Sequence, residues 1–266
     1  MKIDIISDIH LDFYIKSKED IDKFVDKIFL NYTDFDVLVI AGDIGHYNDD
    51  NAYLVELLSK YYKKIFIVYG NHDLYLLNKS AQKKYQYNSF NRLLEFKEMI
   101  KDINNVVFLD GQKEEYQGKV FWGSGLWYEV NSLKHWADSM NDAKYIYDKK
   151  GGYKIVIPYD IYSIRHYFNP FALYKNEYEK IQNLDEADII ISHISPIDFK
   201  LYDGITNDYY YLPYGKEIIE KINSKLWICG HIHIKQTTKY KDCQIIANPL
   251  GYPDENPKFE IKRIEV

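Results

Sequence analysis

Histidine, aspartate and asparagine recur in short loops that directly follow apolar runs of the sequence. Five of the eight histidines stand there with two aspartates and one asparagine: Asp8, His10, Asp43, Asn71, His72, His193, His231 and His233. Any one of them has an ordinary explanation as a loop cap or a surface group. Together they supply imidazole nitrogens, carboxylates and an amide oxygen, a donor set that suits Mn, Fe, Zn or similar ions. The residue types therefore predict a metal site.

Two pairs of these residues are separated by a single position. They are Asp8-x-His10 and His231-x-His233. On an extended backbone, side chains two positions apart point to the same side of the strand. We therefore expect each pair to lie on an extended strand end and to offer two ligands to one locus.

The elements that would carry these loops are short runs rich in β-branched residues, separated by segments with helical periodicity. The runs are Lys2–Ser7, Asp36–Ala41, Lys64–Tyr69, Asn105–Leu109, Lys119–Trp122, Asp188–Ser192, Leu226–Cys229, Gln244–Ala247 and Phe259–Ile264. The apolar residues of Asp20–Leu30, Leu54–Leu58 and Leu93–Ile100 have the spacing of one helix face. This alternation predicts a layered α/β fold.

Several of the predicted strands are apolar at every position, for example Val37–Ile40, Ile65–Val68 and Ile189–Ile191. Burial on both faces is typical of a mainly parallel sheet covered by helices. In such sheets, ligands bind at the carboxyl ends of the strands. We therefore expect five loops with metal-type residues to converge on one site.

The motifs that contain these residues, and their order along the chain, resemble those of the calcineurin-like metallophosphoesterase superfamily. They are Asp8-x-His10, Gly42-Asp43, Gly70-Asn71-His72-Asp73, a strand-terminal His193, and Gly230-His231-x-His233. The resemblance extends from residue 8 to residue 233, and Gly-Asn-His-Asp after a strand is a specific signal. Weaker pieces are similar to the bacterial and phage branch of small phosphoesterases: Gly125-Leu126-Trp127, Met140-Asn141-Asp142 and Asn248-Pro249-Leu250-Gly251-Tyr252.

The resemblance implies a four-layer sandwich of two mixed β-sheets flanked by helices, with two divalent metal ions at the strand ends. By position, Asp8, His10 and His233 would hold one ion, and Asn71, His193 and His231 the other. Asp43 would bridge them. Two such ions, about 3.5–4 Å apart, can share a hydroxide and neutralise charge on phosphorus. His72 would stabilise the transition state or protonate the leaving oxygen.

One departure from the protein Ser/Thr phosphatase branch concerns His46. In that branch the Gly-Asp motif continues to a second Asp, which orients the catalytic histidine, and an arginine cluster follows. Here His46 stands at that position, and Arg92 and Arg165 are the only arginines before Arg263. The sequence therefore argues against a phosphoprotein phosphatase of that branch. The sequence leaves open whether each of three residues contacts substrate or has a surface or packing role: His46, Arg165 and His166.

The whole chain limits the class of partner. Its 266 residues suit a single domain, and the net charge of −6 argues against a surface for extended nucleic acid. Cys229 and Cys243 are too few for a disulfide framework, and the sequence has no apolar run long enough to cross a membrane. We therefore expect a cytoplasmic protein that acts on a small phosphorylated substrate.

The stretch of about residues 123–171 is aromatic and irregular, and we expect it to be a cap-like insertion over the site. Its aromatics could stack on a base, but at this density they more often form core. These aromatic residues are Trp127, Tyr128, Trp136, Tyr145 and Tyr147, together with Trp122, which directly precedes the stretch. Core is therefore the preferred interpretation.

The sequence favours an enzyme that hydrolyses a small phosphodiester or phosphomonoester, such as a nucleotide. One alternative is a DNA nuclease of the same superfamily, against which the acidic composition counts. The other is a metal-free scaffold that serves as an interaction protein. Because every expected ligand position is filled, the scaffold is the least favoured of the three.

Overall fold

The computed structural model describes residues 1–30, 35–149, 153–156, 163–166, 168–199 and 208–266. The strands are β1 (Lys2–Ile6), β2 (Val37–Ala41), β3 (Lys64–Val68), β4 (Val106–Phe108), β5 (Lys113–Tyr116), β6 (Lys119–Ser124), β7 (Tyr153–Val156), β8 (Ser163–His166), β9 (Ile189–Ser192), β10 (Leu226–Cys229), β11 (Gln236–Tyr240), β12 (Cys243–Ala247) and β13 (Lys262–Glu265). The helices are α1 (Glu19–Ile28), α2 (Asn48–Ser59), α3 (Lys79–Lys84), α4 (Ser89–Ile100), α5 (Leu133–Ser139), α6 (Asp142–Tyr145), α7 (Pro170–Gln182) and α8 (Gly215–Ile222).

The strands form two large sheets and one separate hairpin. The first sheet has the order β13-β1-β2-β3-β4, with β13 antiparallel to its neighbour and the rest parallel. The second has the order β11-β12-β10-β9-β6-β5, with four parallel central strands and an antiparallel strand at each edge. β7 and β8 pair with each other. Both large sheets are therefore mixed.

The two sheets face each other across a buried apolar layer. Phe66 of the first sheet stacks on Phe121 of the second, with ring centroids 4.2 Å apart and planes 17° from parallel. The outer face of the first sheet packs against α1, α2 and α4, and that of the second against α5, α7 and α8. The predicted four-layer sandwich of two mixed sheets flanked by helices is confirmed.

Helix α1 illustrates how the sequence pattern builds a layer. Its buried residues Ile21, Phe24, Val25 and Ile28 follow the spacing of one helix face and pack into the core of the first sheet. All nine predicted strands and all three predicted helices are present. The edge strands β5 and β11 had no sequence signal, because they are polar and partly exposed.

The segment of residues 123–171 contains α5, α6, β7 and β8. Trp127, Tyr128, Trp136 and Tyr147 are buried, as is Trp122 in β6, and Tyr145 is half-buried. The interpretation of these aromatics as core is therefore confirmed. The assignment of the chain to one domain with this segment as a cap stays a prediction.

Candidate metal centre

The residues predicted to bind metal lie just beyond the strand ends, and five of the seven have left-handed backbone conformations. The φ angles are 50° for Asp8, 45° for His10, 57° for Asp43, 70° for His231 and 48° for His233. The expectation that the two spaced pairs sit on extended backbone is therefore wrong. Each left-handed non-glycine residue costs on the order of 1 kcal/mol and persists only where the surroundings enforce it. Tight turns, and not strand alternation, aim these side chains into the site.

One cluster of potential ligand atoms joins the loops after β1 and β10. His10 Nε2 lies 3.0 Å from His233 Nε2, which in turn lies 3.5 Å from Asp8 Oδ1. Asp43 Oδ2 lies 4.0 Å from His10 Nε2. Two aspartates and two histidines from three loops thus meet at one point.

A second cluster joins the loops after β3, β9 and β10. Asn71 Oδ1 lies 3.0 Å from His193 Nε2 and 3.1 Å from His231 Nδ1. The same Asp43 Oδ2 lies 3.3 Å from His193 Nε2. Asp43 therefore stands between the two clusters, and the structure brings all seven predicted ligand residues together.

In three of the histidines, one ring nitrogen donates a hydrogen bond, which leaves the lone pair of the other ring nitrogen directed at these clusters. His193 Nδ1 donates to the carbonyl of Ala41 at 2.9 Å, and His231 Nε2 donates to the carbonyl of Tyr209 at 3.2 Å. The carboxylate of Glu255 accepts from His233 Nδ1 at 2.6 Å. Because these partners can only accept, a neutral ring keeps its unprotonated nitrogen on the other edge. That nitrogen is the one in each cluster.

The separations within the clusters suit shared metal ligands. Neighbouring donors on one ion with bonds of about 2.1 Å lie roughly 3.0–3.4 Å apart. Asn71 Oδ1, His193 Nε2 and Asp43 Oδ2 are spaced at 3.0 and 3.3 Å. The mixed nitrogen and oxygen set therefore fits first-row divalent ions.

Without a cation, protons on the histidines balance the buried carboxylates. Burial opposes ionisation of Asp8, but the hydrogen bond and charge of His233 lower its pKa to about 2. Burial likewise disfavours charge on His193, but Asp43 raises the pKa of this imidazole to about 10. The pKa of His233 rises to about 9, against the effect of burial, through its contacts with Asp8. These are the protons that a bound cation displaces.

The loop glycines leave the room that the site needs. A Cβ on Gly70 would lie 2.1 Å from Asp43 Oδ1, and a Cβ on Gly42 would lie 2.4 Å from His193 Nδ1. Both contacts are far too short for a side chain. The motif glycines therefore allow the backbone to approach the buried side chains that meet here.

Two buried aspartates support the site without facing it, and sequence reasoning gave neither a role. Asp73 accepts the backbone N–H groups of Asp43, Ile44 and Gly70 and so ties two loops together. Asp142 Oδ1 accepts from Asn71 Nδ2 at 2.8 Å, which turns the amide oxygen of Asn71 toward the histidines. Asp73 was visible in the Gly-Asn-His-Asp motif. Asp142 lies 71 residues from its partner, in α6, and was visible only as part of the weaker Met140-Asn141-Asp142 resemblance.

His72 lies beside the clusters at the edge of a cavity, and its Nδ1 contacts His46 Nε2 at 2.9 Å. The cavity has a volume of about 530 Å³. Its lining includes Asp43, Asn71, His72, Tyr75, Ser139, Met140, Asn141, Tyr210, His231, Ile232, His233, Ile234, Tyr252 and Glu255. Four of the seven potential metal ligands thus line a space large enough for a small substrate.

The structure gives a packing role to Arg92, for which the sequence predicted none, and leaves open two of the roles that the sequence left open, those of Arg165 and His166. Arg92 is buried and donates to the carbonyls of Gly45, His72 and Tyr75, so it packs the loops. Arg165 and His166 belong to β8, and their side chains lie outside the described part of the structure.

The fold and the donor set define an α/β protein with a histidine- and carboxylate-rich centre at the ends of its strands. The sequence model of the calcineurin-like phosphoesterases matches residues 1–235. The chain belongs to this family of metal-dependent phosphoester hydrolases.

Individual relatives extend the comparison over nearly the whole chain. The uncharacterized protein L509 of Acanthamoeba polyphaga mimivirus is 27% identical over 277 residues, which cover 96% of this chain and 92% of that protein. The phosphopantetheinyl hydrolase PptH of Mycobacterium tuberculosis superposes with a TM-score of 0.74 at 18% identity, covering 99% and 95% of the two chains. TT1561 of Thermus thermophilus gives a TM-score of 0.52 at 10% identity, with coverage of 99% and 98%. The two solved structures share the fold.

Across the described ranges, the helices are too short or too polar to pass through a lipid bilayer.

Proposed function

We propose that this chain is a dinuclear metal-dependent phosphoesterase that hydrolyses a small phosphodiester or phosphomonoester. The observation that carries this proposal is the position of Asp43. Its Oδ2 lies within 4.0 Å of His10 Nε2 in one cluster and 3.3 Å from His193 Nε2 in the other. A carboxylate in this position can bridge two ions at the wall of the cavity.

The two clusters divide the ligands between the ions. Asp8, His10 and His233 would hold the first, and Asn71, His193 and His231 the second, with Asp43 shared. When bound, two divalent cations supply the positive charge that attracts phosphate, the Lewis acidity that activates it, and a lowered pKa of water. Several first-row ions suit this donor set, and manganese is the one we would test first.

His72 is the residue of this chain that we place at the leaving group. It lines the cavity, and its backbone N–H donates to Asp43 Oδ1 at 2.8 Å, which fixes it next to the carboxylate between the clusters. With Nδ1 engaged by His46, Nε2 is the ring nitrogen left for the cavity. A proton at Nε2 can pass to the leaving oxygen as the P–O bond breaks.

The lining of the cavity favours a small substrate with a largely uncharged leaving group. Beyond the ligand clusters and His72, its described wall consists mainly of tyrosines and apolar side chains, among them Tyr210, Ile232 and Tyr252, with Ser139 and Asn141 as polar residues and Glu255 as the charged one. These side chains suit an organic group better than a polyanion. The size of the cavity matches a nucleotide or a phosphopantetheinyl ester, the group in the name of the structural relative from M. tuberculosis.

A substrate panel with Mn(II) tests the proposal. It contains bis-p-nitrophenyl phosphate, p-nitrophenyl phosphate, cyclic nucleotides, a phosphopantetheinyl ester and single-stranded DNA. Hydrolysis of the small esters that is lost with chelator and restored by Mn(II) is the expected result. Hydrolysis of DNA alone would point to the nuclease instead. A purified, metal-supplemented protein that retains only trace metal by elemental analysis would favour the scaffold.

Replacing Asp142 with alanine should weaken the ion at the Asn71 cluster. The change removes the carboxylate that accepts from Asn71 Nδ2 and leaves this nitrogen with the Tyr75 hydroxyl as its acceptor. The amide is then held less firmly toward His193 and His231. Loss of such a supporting contact costs about 10- to 100-fold in metal affinity. Titration of the metal-free protein with Mn(II) should show one site weakened and the other retained.

The matched control is Asp138→Ala, because Asp138 is an exposed residue of the neighbouring α5. Equal affinities at both sites in Asp142→Ala and wild type would contradict the role of Asp142.

A further inference from the structure

His46 lies behind His72 and does not line the 530 Å³ cavity. Its side chain is only 5% exposed, and it joins two other side chains in a row. His46 Nε2 contacts His72 Nδ1 at 2.9 Å, and His46 Nδ1 contacts Asp12 Oδ2 at 2.7 Å. Contact with a substrate in that cavity, one of the two roles left open for His46, therefore does not fit its place.

The direction of these hydrogen bonds follows from the end of the row. Asp12 Oδ1 already accepts the backbone N–H of His46 at 3.0 Å, so Oδ2 is the oxygen that faces the ring. A carboxylate only accepts, and His46 Nδ1 must therefore carry the proton. The neutral ring then has its lone pair at Nε2. His72 Nδ1 is consequently the donor in the contact between the two rings.

We infer that Asp12 and His46 are positioning residues that set the tautomer of His72. The inference rests on the proposed function, in which His72 serves the leaving group. With Nδ1–H donated to His46, Nε2 of His72 faces the cavity as the atom that takes up and releases a proton. It takes this proton from solvent before the reaction and gives it to the leaving oxygen as the bond between phosphorus and that oxygen breaks, which returns the ring to its neutral form. Asp12 stabilises the transient imidazolium through His46.

The surrounding loops hold this row rigidly. Arg92 donates to the carbonyl of Gly45 at 2.6 Å and to that of His72 at 2.7 Å, which ties the loop of His46 to the loop of His72. Asn51 Nδ2 donates to the same Gly45 carbonyl. A Cβ on Gly45 would lie 2.8 Å from Asn51 Oδ1 and 3.1 Å from Asp12 Oδ1. The close approach of Asp12 to the His46 loop thus depends on glycine at this position.

Asp12→Asn is the sharpest test, because it can reverse every hydrogen bond in the row. The backbone N–H of His46 should keep the oxygen of the new amide as its acceptor, which places the NH2 group of that amide against His46 Nδ1. His46 then presents Nε2–H to His72, whose Nδ1 must accept. We expect kcat to fall by about 10- to 10³-fold, since a wrong tautomer removes much of what a positioned acid–base group contributes.

The dependence of the rate on the leaving group distinguishes this effect from a loss of structure. Phenolate leaves less readily than p-nitrophenolate and depends more on protonation, so Asp12→Asn should lose more activity with phenyl phosphate than with p-nitrophenyl phosphate. KM and bound metal should stay near those of the wild type. Asp26→Asn, at an exposed position of α1, is the matched control and should lose nothing.

A pair of variants at His46 provides the second test. In His46→Gln, the amide can accept from His72 Nδ1 and donate to Asp12, so it should retain more activity than His46→Phe, which can do neither. A downfield Nδ1–H resonance of His72 in NMR spectra should persist in the glutamine variant and disappear in the phenylalanine variant.

Equal losses with the two aryl phosphates, or equal activities of the glutamine and phenylalanine variants, would overturn the positioning role. Failure of the wild-type enzyme to hydrolyse any ester would instead overturn the proposed function. The NMR signal still reads the tautomer of His72 in that case, so the two failures remain distinguishable.

Discussion

Asp43→Asn should reduce hydrolysis by about 10³-fold or more, since loss of several kcal/mol of charge stabilisation corresponds to this factor. The backbone N–H of His72 donates to Asp43 Oδ1, and asparagine can keep this hydrogen bond with its own oxygen. Its NH2 group would then replace Oδ2, the atom that lies between His10 and His193. An amide nitrogen with two protons cannot bridge cations, so both sites should lose affinity.

Metal content after dialysis and single-turnover hydrolysis of bis-p-nitrophenyl phosphate would measure this prediction. The matched control is Asp242→Asn, because the Asp242 side chain is 84% exposed and lies in the turn before β12, at the opposite end of the strands from the ligand loops. If the Asp43 variant bound two ions per chain and turned over at the wild-type rate, Asp43 would not be the bridge.

His72→Ala should retain both ions and lose about 10²- to 10⁴-fold in kcat, the usual contribution of a positioned acid–base group. Alanine keeps the backbone N–H that donates to Asp43, so the carboxylate stays in place. The His72 ring lies near His10 and Asp43, but in the proposed division of ligands neither ion depends on it. The loss should therefore appear in kcat and leave metal affinity unchanged.

Steady-state rates with a series of aryl phosphates, together with elemental analysis of the same samples, would measure this effect. The rate should depend more steeply on the leaving group than in the wild type, and added imidazole should restore part of it. An unchanged kcat would remove His72 from the mechanism, and a lost ion would reassign it as a ligand.

Local signals in the sequence predicted a layered α/β fold and the donor set, whereas the sandwich of two sheets was implied by the family resemblance. Fully apolar runs such as Val37–Ile40 mark buried strands, and the helical spacing of Asp20–Leu30 marks a covering helix. The loops after these strands contain the potential ligands, and parallel strands place such loops at the same edge of a sheet. The convergence of eight residues could therefore be predicted without coordinates.

The sequence could not predict how the backbone turns at the ligands or what holds them from behind. Asp8 and His10 have the spacing of an extended strand, but both lie in left-handed turns that surrounding contacts enforce. Asp142 and Asp12 act through partners 71 and 34 positions away. Such contacts leave no periodic trace, because they depend on the tertiary packing of separate loops.

The stack of Phe66 on Phe121 has a consequence for the metal centre, although neither ring touches it. Asp8, His10, Asp43 and Asn71 follow strands of one sheet, whereas His193, His231 and His233 follow strands of the other. The thickness of the apolar layer between the sheets therefore sets the gap that a pair of cations must span. The two phenylalanine rings act as a spacer between the sheets. A smaller or larger pair of side chains would change the separation between the two groups of ligand residues while each sheet stayed intact.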